Sequence, residues 1–132
     1  MTETEKMVSN FTTGLGGSRN RKIFNILEEN NLHALGKSNT GTLLYQYSDG
    51  NGTFHDIFAF RQNPPVFSFP QSYWLKRSVE LNEHLGNFKN SEKPELKGPV
   101  STSQYSAGQI EITRNTYERL IDICNLVCKK LT

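Results

Sequence analysis

Asp56 lies in an aromatic-rich run, Phe54-His55-Asp56-Ile57-Phe58-Ala59-Phe60-Arg61, and Glu28-Glu29 close an amphipathic stretch upstream. With Glu95-Leu96-Lys97, the only literal Glu-x-Lys of the chain, they are the side chains from which a hard divalent cation could be held for hydrolysis, since Mg²⁺ takes several carboxylate oxygens. His55 and Asp56 are neighbours on an expected strand, so they point to opposite faces and form no proton-transfer pair. No serine stands in Gly-x-Ser-x-Gly. Cys124 and Cys128 are four apart on an expected helix, where a disulfide cannot easily close, and are read as reduced core thiols. His33, His55 and His84 stand singly, so no metal and no cofactor is expected. Gly36-Lys37-Ser38 has the end of a phosphate-binding loop, but Asn31 stands where its first glycine belongs. Gly14-Leu15-Gly16-Gly17-Ser18-Arg19, ahead of a helix, lacks the strand that a dinucleotide site requires.

Cations remain. Arg19, Arg21 and Lys22 open the first expected helix, Arg61 ends a strand, Lys76 and Arg77 lie in a second helix, and Lys89, Lys93 and Lys97 lie in a polar stretch. Cationic segments interleaved with aromatic rings can hold a nucleic-acid backbone without reading its sequence. Against this, 15 Lys and Arg face 13 Asp and Glu, leaving only +2. The rings of the sheet are read first as core, and as a stacking platform only if one face is bare.

These side chains must be placed by a single domain, because 132 residues with a mean hydropathy of −0.59 support one modest core. Residues 1–18 are polar and glycine-rich at their end, and are expected to be a flexible arm. Ile23, Ile26 and Leu27 then recur at helical spacing from Arg19 to Asn31. Two aromatic runs around Asp49-Gly50-Asn51-Gly52 predict a β-hairpin, and Asn63-Pro64-Pro65 separates it from a short strand, Val66-Phe67-Ser68-Phe69. Within the hairpin, Asp56, Phe58 and Phe60 are expected on one face and His55 on the other, with Tyr47 sharing the face of Tyr45. Pro70 opens a second helix, Gln71–Leu85. Residues 87–108 read as a long surface loop, Gln109–Thr113 as a strand, and Asn115 with Glu118 as a capping box for a last helix. Ile123 and Leu126 broaden the apolar face of that helix, which is expected either to be deeply packed or to meet a partner through these residues.

The expected domain, residues 19–132, is α+β: a small, mainly antiparallel sheet, a hairpin plus two short strands, packed by three helices in the order αβββαβα. Its αβββαβ part resembles the core of many metal-dependent nucleases of the PD-(D/E)xK kind. The third strand carries neither acid nor lysine, however, and Glu95-Leu96-Lys97 falls in the loop, so an active nuclease with Asp56 as ligand is the lowest of three readings. The leading one is a non-enzymatic protein that binds nucleic acid, or a nucleic-acid-handling complex, through Arg19, Arg21, Lys22, Arg61, Lys76, Arg77, Lys89, Lys93 and Lys97. Between them stands a protein-interaction module, or homo-oligomer, using a sheet edge or the last helix. No run is long and apolar enough for a membrane span, and with no export signal at Met1-Thr2-Glu3-Thr4-Glu5-Lys6 the expected compartment is the cytosol.

Overall fold

Asp49-Gly50-Asn51-Gly52 turns the chain as its residue types require. Gly50 and Gly52 take φ of 85° and 84°, and the Asp49 carboxylate accepts the Asn51 amide at 2.8 Å. The strands it joins are β2, Thr42–Ser48, and β3, Phe54–Arg61. The structure, a computed structural model, describes residues 1–62, 65–85 and 106–131. Around the hairpin lie β1 (His33–Lys37), β4 (Val66–Pro70) and β5 (Ser106–Glu111), in an antiparallel sheet of order β1-β2-β3-β4-β5. The fold is therefore mixed α+β, with five strands among the described residues, one more than the sequence suggests. His33–Lys37 has little strand character of its own and is a strand because it pairs with β2 from His33↔Gln46 to Lys37↔Thr42.

The register between β2 and β3 decides which side chains meet. Tyr45 faces Phe58 but Gln46 faces Asp56, which leaves Ile57 without a partner across the ladder. A one-residue bulge inverts the alternation. Asp56 is consequently on the face opposite Phe58 and Phe60, and His55, paired with Tyr47, lies on theirs, reversing the expected arrangement. Trp74 occupies the opening so created: its indole N–H donates to the Ile57 carbonyl at 2.7 Å.

All the described helices lie on one side of the sheet. They are α1 (Glu3–Thr12), α2 (Gly17–Glu29), α3 (Gln71–Trp74), α4 (Ser78–Leu85) and α5 (Tyr117–Leu131), with a 3₁₀ turn at Leu75–Arg77. The expected single helix Gln71–Leu85 is thus three consecutive helical pieces. The rings of Phe24, Tyr45, Phe58, Phe60, Phe67, Phe69 and Trp74 are fully buried and meet edge-on or tilted between sheet and helices, so the aromatic face is core. Leu44 and Ala59, on the other face, stand outside that cluster.

Residues 1–18 are not a loose arm. Thr2 and Glu5 form a reciprocal capping box at the start of α1, and Met7 and Phe11, four apart, are buried. The helix lies along the β1 edge, where Thr4 and Glu3 accept the Gly36 and Ser38 amides at 2.9 and 2.7 Å. An open edge is thereby capped. Ile123, expected at an interface, is 1% exposed in the core, whereas Leu126 is 46% exposed. The last helix is not capped by Asn115 and Glu118 but two residues earlier: the Thr113 amide donates to Thr116 Oγ1 at 2.8 Å and the Asn115 amide to Thr113 Oγ1 at 3.2 Å. Of the expected loop 87–108, residues 106–108 belong to β5, and 87–105 lie outside the described residues.

Cys124 and Cys128 are buried free thiols, and burial pushes Cys128 up to about 11. His84 is also buried, edge-on to Trp74, with Nε2 at 3.7 Å from Glu80, which Lys130 approaches at the same distance. Burial, then Lys130, holds this imidazole below the ordinary 6.5, against Glu80 and Glu83. The unfolded chain therefore binds the proton more readily, and stability should fall as pH drops below about 6.5, down to the folded-state value. Urea midpoints at pH 7.5 and 5.5 check this. The acid-side loss should shrink in His84→Gln, and an equal loss in both proteins would remove His84 as its source.

Candidate nucleic-acid interface

Arg19 and Lys22 are three apart on α2 and so share a face of its first two turns. The α5 start brings Tyr117 beneath that face: Arg19 Cζ and Lys22 Nζ lie 6.0 and 5.7 Å from its ring centroid. Both are within the range at which a ring quadrupole attracts a cation. Gly14 and Gly16, with φ of 77° and 79°, let the chain turn from α1 into α2. Gly16 at the N-cap supplies no side-chain acceptor, and the first turn carries no acid, so the positive end of the helix dipole adds to these cations. Arg21 points another way, its Nη2 donating to Thr12 Oγ1 at 3.0 Å. None of the ion pairs His55–Asp49, His84–Glu80 and Lys130–Glu80 involves any of the three.

A second cation meets an aromatic ring elsewhere. Arg77 Cζ lies over Tyr73 at 3.8 Å, while its Nη1 donates to the Tyr73 carbonyl at 2.8 Å. Edge-on to the same ring at 6.0 Å is His55, whose Nε2 is 3.2 Å from Asp49 Oδ2. Hydrogen bonds from the turn amide of Asn51 above all, and from His55, hold the Asp49 carboxyl below its usual range. Lys76 is exposed beside Arg77.

Among the described residues, the remaining predicted cation, Arg61, does not join these groups. Arg61 is on the sheet face away from the helices, with Nε donating to Thr42 Oγ1 at 3.1 Å. Lys89, Lys93 and Lys97 lie outside the described residues, as does Glu95. The described members of the expected set, Arg19, Arg21, Lys22, Arg61, Lys76 and Arg77, are therefore dispersed over three places.

The acids separate as well. Glu28 accepts from the Tyr45 hydroxyl at 3.3 Å on the helix side, where burial first and Glu28 second raise the phenol's pKa. Asp56 accepts from Gln46 Nε2 at 2.8 Å on the opposite face. With the sheet between them, they cannot hold one cation. Among the described residues no group of three or more His, Cys, Asp or Glu is placed to hold a metal.

Tyr73, Tyr117 and the Asp49–His55 pair are the site residues that sequence reasoning missed. An acid at the start of the turn and a histidine just after it is a legible signal for the last, because a hairpin brings its two ends together. The tyrosines give no local signal. No helix among the described residues is long and apolar enough to cross a membrane. No family model matches this chain, and no curated protein or solved structure matches it either.

Proposed function

We propose that this protein binds nucleic acid without transforming it, gripping backbone phosphates at the start of α2. The observation that carries the reading is the convergence of Arg19 and Lys22 on the Tyr117 ring at 6.0 and 5.7 Å. The ring restrains two flexible cations without neutralising them, so less side-chain entropy is lost when phosphate arrives. Arg21 adds charge on an adjacent face of the same helix end. Phosphate contacts of this kind position a strand and carry no sequence preference.

Fluorescence-anisotropy titration of short single- and double-stranded DNA and RNA at two salt concentrations tests it. Binding should fall steeply with salt. The double substitution Arg19→Glu, Lys22→Glu should weaken it at least about tenfold at low salt and reduce the slope of log K against log salt by about 2. Absence of binding at low salt, or an unaffected double variant, overturns the reading.

A protein-binding reading is favoured by a different observation. Leu35, Leu44, Ala59, Ser68 and Gln109 form one row across all five strands on the face that no described helix packs against; Leu35, at 38%, and Gln109 are its exposed members, and Leu44 and Ala59 are buried. Binding through that row would be insensitive to salt and abolished by Leu35→Glu, and would leave oligonucleotide affinity unchanged.

A further inference from the structure

We propose that Arg77, Tyr73 and His55 form a second, separate site that takes one nucleotide unit, its base stacked on the Arg77 guanidinium and its phosphate on that residue's free N–H groups. The argument begins with preorganisation. Arginine in solution samples many rotamers, but here the guanidinium carbon lies 3.8 Å over the Tyr73 ring and Nη1 is tied to the Tyr73 carbonyl at 2.8 Å. Tyr73 is in turn held edge-on by Trp74 and His55, at 5.1 and 6.0 Å. Arg77 is exposed, so a ligand can reach it from solvent.

A planar cation already seated on a ring is a stacking surface for a base, and its remaining fork of N–H donors matches phosphate oxygens. Those donors take no acceptor among the described residues beyond the Tyr73 carbonyl. Two carboxylates stand near and would oppose an anion. Asp49 is engaged by His55 and by the turn amides of Asn51 and Thr53, and Glu80 stands between His84 and Lys130. Each thus has cationic or N–H partners of its own, and neither is paired with Arg77. A simple anion would use only the fork. Requiring both plane and fork selects a ring that bears a phosphate.

The test follows UMP binding to ¹⁵N-labelled protein by NMR, with ribose 5-phosphate as the ligand that keeps the phosphate and lacks the base. UMP should shift the signals of residues 55, 73 and 77, and ribose 5-phosphate should bind at least about fivefold more weakly. Arg77→Lys keeps the charge at an exposed position and should weaken UMP about tenfold. The Arg19→Glu, Lys22→Glu variant should bind UMP as the unaltered protein does, so this site is judged apart from the α2 reading. The proposal fails if neither ligand binds, if both bind equally, or if Arg77→Lys retains the affinity. Where the site holds, a short oligouridylate binding tenfold or more tighter than UMP identifies a strand as the source of the nucleotide, and equal affinities identify the free mononucleotide.

Discussion

Trp74→Ala is expected to cost about 3–5 kcal/mol of folding stability, a large share of what a domain of this size possesses. Trp74 is fully buried, and its ring is within 5.1–6.4 Å, centroid to centroid, of Phe58, Phe69, Tyr73 and His84. Truncation removes those contacts and opens a cavity bounded by β3, β4 and α4. It also strips the Ile57 carbonyl of its 2.7 Å donor at the one place where the β2–β3 ladder leaves a residue unpaired. Trp74→Phe separates the two effects: it keeps an aromatic ring and loses the donor, and should cost about 1–3 kcal/mol. Urea denaturation followed by far-ultraviolet circular dichroism measures both, since the chain's single tryptophan is the residue removed. Midpoints equal to that of the parent protein would show that the bulge does not depend on Trp74.

The second large effect is expected at Gly17. A Cβ there would lie 2.5 Å from the Thr12 carbonyl oxygen and 2.6 Å from its carbon, backbone atoms that close α1 and cannot swing aside. Alanine is the better helix former by about 1 kcal/mol, so on propensity alone Gly17→Ala would stabilise α2. Overpacking against backbone costs about 1–3 kcal/mol and should win. The loss should be local, since α1 must move off the β1 edge to relieve the clash. That movement would break the Asn20–Phe11 hydrogen bond, 2.8 Å, and expose Met7 and Phe11. Hydrogen exchange of residues 7–12 should accelerate, with a smaller shift in the global denaturation midpoint. A stabilised variant with unchanged exchange would mean that α1 is not docked at this contact.

How far these features could be read in advance differs with the range over which they are determined. Asp49-Gly50-Asn51-Gly52 forces its turn through its own φ requirements, and the hairpin follows from it. The last helix is written in its apolar stripe, and Cys124, Val127 and Cys128 are buried as that stripe implies. The Thr2–Glu5 capping box was equally legible, but α1 has only ten residues and is stabilised by docking, which depends on the small side of Gly36. A Cβ at Gly36 would approach Met7 Sδ to 2.7 Å, a constraint invisible until the helix and the strand are side by side. For β1 the deciding partner is β2, and its own residues are too indifferent to announce it.

The candidate sites divide along the same line. The i, i+3 spacing of Arg19 and Lys22 is local and put both cations on one helical face, but Tyr117 meets them only because α5 packs on α2. Arg77 was legible as a cation and Tyr73 was not legible as its platform. Asp56 and His55 were assigned to the wrong faces because strict alternation is assumed until a bulge breaks it, and one unpaired residue exchanges the faces of everything beyond it. Residue type and short-range periodicity thus determined, from sequence alone, the α+β class, the hairpin, the helical stripes, the buried thiols and which cations are available. Tertiary structure decided the docking of α1, the strand character of β1, the bulge at Ile57 and the ring that each cation meets. The reason is that these depend on contacts between segments distant in the chain, whose geometry is set by packing and by the need to pair every buried backbone group.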